Sequence, residues 1–149
     1  MIRRHSPESA ALALSCVREM FPAVGPIEFV AQDWTGRQYA IDGGLVLFDP
    51  ATAEANVYPY ASVDEAVAED PSFFLMPEFH AEWQAMHPDP VPDNSCVGYQ
   101  IPLFIGGPDA VENLVVISTR VYWSVTGQMW QQVKDLPPGT PIGEFRVVE

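Results

Sequence analysis

A chain of 149 residues with 48% hydrophobic residues and fifteen prolines suits one domain of short elements, with a core that needs neither metal nor disulfide. Its apolar content excludes a disordered chain, and no segment approaches the ~20 apolar residues that cross a bilayer. The net charge of −13 disfavours direct nucleic-acid binding, which needs cations facing phosphates.

Ser6-Pro7-Glu8 predicts a helix start, with Ser6 as N-cap, Pro7 in the first turn and Glu8 at the positive end of the dipole. Leu12, Cys16 and Met20 recur every four residues with Val17 beside them, one apolar face, and Phe21-Pro22 ends the helix. Arg3-Arg4 followed by AALALSCV imitates a signal peptide. Glu8 precedes that run and Arg18 and Glu19 follow it, so an ordinary amphipathic helix is expected. Cys16 and Cys96, too few for a disulfide framework, are expected to be reduced thiols of a cytoplasmic protein.

IEFVAQDW, RQYAID, GLVLFD and EANVYPY are short apolar or alternating runs separated by Thr35-Gly36, Asp42-Gly43-Gly44 and Asp49-Pro50-Ala51-Thr52, so consecutive antiparallel hairpins are expected. Tyr39 and Ile41 share one strand face. In GLVLFD, Leu45 and Leu47 share a face and Val46 and Phe48 the other, which predicts a central strand. Ser62 and Glu65 form a capping-box pattern for a short helix that Pro71 stops. PEFHAEWQAMH predicts a second short helix with Phe79, Trp83 and Met86 on one side, and HPDPVPDN is a proline-rich loop. Val97 to Ile105 and Asn113 to Ile117 are expected strands. Ser118 then caps a longer helix, with Tyr122, Val125, Met129 and Val133 on one face and Trp123 and Trp130 on a neighbouring stripe. Pro137-Pro138-Gly139 ends it, and IGEFRVV alternates as a final strand.

Catalytic patterns are sparse. His80 and His87 lack the tight spacing of a zinc site, there is no G-x-S-x-G, and neither cysteine has a nucleophile motif around it. Asp64-Glu65 and Glu69-Asp70 read as solvated helix acids rather than a catalytic pair. Gly106-Gly107-Pro108 follows an apolar run, yet no Lys-Ser/Thr follows it, Pro108 has no N–H to donate, and Asp109 and Glu112 would repel phosphate. The glycines therefore turn the chain, with Asn113 bonding nearby backbone. Arg37 is expected to stack on rings or to pair with Asp33 or Asp42.

Every lysine and arginine lies outside residues 38–119, a window holding thirteen acids from Asp42 to Glu112. The other acids balance the basic residues, so the whole net charge comes from the middle of the chain. A basic protein partner is physically attractive there, although solubility alone accounts for such a charge.

Several long motifs stand out: D-W-T-G-R-Q-Y-A-I-D at 33–42, V-L-F-D-P-A-T at 46–52, C-V-G-Y-Q-I-P-L-F-I-G-G at 96–107, V-E-N-L at 111–114, the 121–128 stretch with V-Y-W and G-Q, and L-P-P-G-T at 136–140. Over residues 27 to about 142 the chain resembles the domain found at the C-terminus of a type VI secretion DNase-immunity protein, where it often follows a GAD-like domain. Against that pattern, the GAD-like part is expected to be absent here or reduced to the first helix. The resemblance implies a non-catalytic immunity protein that binds a cognate toxin, with a basic nuclease as the natural target.

The expected architecture is α+β, a single domain over 1–149 with a mostly antiparallel sheet packed by several helices, of which 1–24 carries the first. No cofactor and no metal are expected. Candidate partner-binding residues are Asp64, Glu65, Glu69, Asp70, Glu78 and Glu82 for charge, with Phe74 or Trp83 as aromatic anchor; a core role is the competing reading, and it suits Trp83 better. The rival functional reading is a small-ligand-binding or regulatory module, which a pocket with convergent polar groups would favour.

Overall fold

A three-residue strand, β1 (Ile2–Arg4), precedes the first helix, α1 (Pro7–Met20), in the computed structural model, which describes residues 2–70 and 80–148. Three residues are too few to show an alternation, so β1 is invisible to periodicity. It forms by pairing antiparallel with β2 (Glu28–Asp33), placing Arg3 opposite Gln32. Ser6 caps α1 as expected, accepting from Ser9 N at 3.1 Å while Ser9 Oγ accepts from Ser6 N at 2.8 Å. The buried face is Ala13, Cys16, Val17 and Met20. Leu12, expected on that face, is 44% exposed because it borders a cleft.

The hairpin reading holds. β3 (Gln38–Ile41), β4 (Leu45–Asp49) and β5 (Glu54–Tyr58) follow, and all neighbours in the order β1-β2-β3-β4-β5 are antiparallel. β4 is interior and apolar on both faces, as its composition required. Val46 and Phe48 join Cys16, Val17 and Met20 of α1 and Trp123 in one core cluster. Leu45 and Leu47 join Tyr39 on the other face, which α2 (Val63–Glu69) covers with Val63 and Ala66. Ser62 accepts from Glu65 N at 3.1 Å. The Glu65 carboxylate reaches Ala61 N rather than the cap residue's own N–H, so the capping box is shifted by one residue.

α3 (His80–Met86) rests on a second, two-stranded sheet of β6 (Ser95–Tyr99) and β7 (Leu114–Ser118), through Trp83 against Val97 and Leu114. The single sheet expected from sequence is therefore two. The expected strand from Val97 to Ile105 ends early: β6 stops at Tyr99, and residues 103–105 form a 3-10 turn. Asn113 ends it by occupying the backbone, accepting from Ile101 N at 2.9 Å and donating to Ile101 O at 2.8 Å and Pro108 O at 2.9 Å.

Ser118 caps α4 (Thr119–Val133), accepting from Val121 N. Its buried stripe is Thr119, Tyr122, Trp123, Thr126 and Gly127, rotated from the expected Tyr122-Val125-Met129-Val133 face. The rotation follows from Gly127, which lets α4 lie directly on α1. The expected final strand is not one: residues 141–148 join no sheet. Two glutamines one turn apart on α4 hold this tail. Gln132 exchanges hydrogen bonds with Arg146 N and O (3.2 and 2.8 Å), and Gln128 does the same with Val148 N and O (both 2.7 Å). The whole is α+β.

Candidate functional site

The acidic middle of the chain lies mostly on the outside. Of its thirteen acids, ten are exposed, Asp49 and Asp70 are half-buried, and Glu78 lies outside the described residues, as does Phe74. Asp64, Glu65 and Glu69 project from α2, Asp70 caps its C-terminus, and Glu82 stands in the first turn of α3. The candidate acids thus rest on two supports, α2 on the large sheet and α3 on the small one. Asp64 pairs with Arg4. Trp83 is no anchor: at 3% exposure it is core, stacked on the His87 ring at 4.3 Å.

Arg37 does pair with Asp33, Nε to Oδ2 at 2.6 Å. Asp33, 4% exposed, also accepts from the Tyr39 hydroxyl and from Thr35. Burial and the Asp33 carboxylate push the Tyr39 phenol up, and burial raises the Asp49 carboxyl. The DWTGRQYAID motif is a buried knot tying the β2–β3 turn. Burial pushes the Cys16 thiol up to about 11 and the Cys96 thiol to about 12, so both stay protonated at neutral pH. Both are free thiols.

The double glycine is a turn. Gly106 sits at φ +89°, which favours glycine, and a Cβ on Gly107 would fall 1.9 Å from Ile101 O. Gly107 N instead donates to Pro102 O at 3.0 Å.

A cleft of about 520 Å³ opens between β1, β2, α1 and the start of α4. Arg3, Arg4, His5 and Arg120 line it, with Gln32 and Gln38 at its base. Sequence reasoning missed these residues. Two signals were available: polar glutamines in otherwise apolar strands, and an arginine in the first turn of a helix, where the dipole disfavours a cation. Among the described residues no group of three or more His, Cys, Asp or Glu is placed to hold a metal. No helix of the described residues is long and apolar enough to cross a membrane.

His5 carries a pH prediction. Its Nε2 donates to Gln38 Oε1 at 2.8 Å and its Nδ1 meets Ser9 Oγ at 3.0 Å. Burial lowers its pKa below the ordinary 6.5, against the opposing hydrogen bonds. The unfolded chain then binds the proton first as pH falls through 6.5, so stability drops on acidification from neutral and levels off below the folded pKa. Urea titrations across that window should show this loss in the native chain and its absence in His5→Asn. An equal slope in both would count against it.

No family model and no curated protein sequence matches the chain.

Proposed function

We propose that this is a non-catalytic immunity-type protein that acts in the cytoplasm, binding a cognate bacterial toxin, a basic nuclease-like effector, and neutralising it by covering its surface. The observation that carries the reading is the unneutralised acidic exterior: of the ten exposed acids in residues 42–112, only Asp64 forms an ion pair among the described residues. Exposed carboxylates spread over two helices raise the encounter rate with a basic surface, while apolar contacts hold the complex. The motif resemblance supports the same class.

The test uses the product of a neighbouring toxin-domain gene. Glu69 and Glu82 are exposed and make no ion pair among the described residues, so reversing them removes no such contact. Glu69→Lys/Glu82→Lys should slow association about tenfold or more at low salt, and the two proteins should converge as salt screens the field. Association that is insensitive both to salt and to the reversal would remove the electrostatic reading. Failure of the two gene products to co-purify would remove the immunity reading itself.

A further inference from the structure

We propose that the cleft between α1, β2 and the N-terminus of α4 binds a small monocarboxylate with a short apolar body. Independently of any toxin, its walls suit a carboxylate. Arg3 is spent on the carbonyls of Val91, Pro92 and Asp93, at 2.7 to 2.9 Å, and Arg4 is paired with Asp64. The Arg120 side chain has neither ion pair nor hydrogen bond among the described residues. It also stands in the first turn of α4, where the helix dipole opposes a cation and welcomes an anion.

The second donor is Gln32, only 9% exposed. His5 Nε2 donates to Gln38 Oε1 at 2.8 Å, and Gln38 Nε2 donates to Gln32 Oε1 at 3.1 Å. This chain of donors runs one way and ends at the Gln32 amide nitrogen, which lines the cleft and has no protein acceptor among the described residues. That nitrogen opens to the cleft, where a ligand oxygen can replace water as its acceptor. A guanidinium and an amide N–H suit the two oxygens of a carboxylate. Arg4 is neutralised by Asp64 and Arg3 is held by backbone carbonyls, so Arg120 is the guanidinium of this cleft with no protein acceptor among the described residues. Leu12 and Ala13 supply an apolar wall, and about 520 Å³ lies in the range of small-ligand sites, roughly 300–1,000 Å³.

The experiment is calorimetry and protein-observed NMR on the full chain at low ionic strength, with hexanoate, hexanol and inorganic phosphate as probes. Hexanoate should bind saturably with shifts at Leu12, Gln32 and Arg120, and hexanol should bind far more weakly. Arg120→Met, at an exposed position, should weaken hexanoate about tenfold or more with the thermal midpoint unchanged. Gln32→Met should also weaken it, and its folding is checked by the same spectra. No saturable hexanoate binding, equal affinity for hexanol, or undiminished affinity in Arg120→Met each overturns the proposal. Phosphate binding in place of hexanoate overturns the carboxylate assignment.

Discussion

Asp33→Ala should cost about 3–5 kcal/mol, a large share of the stability of a domain this size. One carboxylate organises the whole turn. Asp33 Oδ1 accepts from Thr35 N at 3.0 Å, Thr35 Oγ1 at 2.7 Å and Arg37 N at 3.2 Å. Its Oδ2 accepts from Arg37 Nε at 2.6 Å and the Tyr39 hydroxyl at 2.9 Å. Truncation strands a guanidinium whose side chain is only 25% exposed, and an uncompensated charge there is worse than none. The double variant Asp33→Ala/Arg37→Met should therefore recover part of the loss, which a simple cavity would not allow. Urea denaturation of the two single variants and the double closes the cycle. A cost for Asp33→Ala of under about 1 kcal/mol, the ordinary value of a surface pair, would show that the knot is not holding the turn.

Gly127→Ala should reverse the usual sign of a glycine-to-alanine change. In an open helix interior that change gains about 1 kcal/mol. A Cβ at 127 would stand 2.7 Å from the Glu19 carbonyl carbon and 2.8 Å from its oxygen. Those are backbone atoms, which cannot swing aside, so α1 and α4 must separate along the main helix contact of the fold. Overpacking of this kind costs about 1–3 kcal/mol. Trp123, fully buried between that helix pair and β4, should loosen with it, giving a fluorescence shift in the folded variant. Equal or higher stability in Gly127→Ala would contradict the close approach.

The central hairpins were legible because their signals are local. Turn residues punctuate them, and apolar residues on both faces of GLVLFD mark the interior strand. The same holds for α1, whose boundaries Ser6-Pro7 and Phe21-Pro22 announce. What escaped depends on partners distant in sequence. β1 exists only against β2, and the buried stripe of α4 turns on the absence of a side chain at 127. Alternation in IGEFRVV promised a strand, but two glutamines on α4 engage that segment before any strand does. The cleft escaped for a similar reason. Arg3, Gln32 and Arg120 are far apart in the chain, and only strand pairing and the position of α4 bring them to one place. The acids of α2 were read from composition, and their exposure follows from Val63 and Ala66 turning inward.

The hold on the tail has an evolutionary consequence. Gln128 and Gln132 grip peptide groups, not side chains, so they are blind to what residues 146 and 148 are. The spacing matches any chain: four residues of helix rise ~6 Å and two residues of extended backbone ~6.6 Å. Substitutions along this segment can therefore accumulate freely, with proline at 146 or 148 the one change the grip rejects, because it removes the N–H that each glutamine accepts. Drift in the tail should be tolerated where drift at the two glutamines is not.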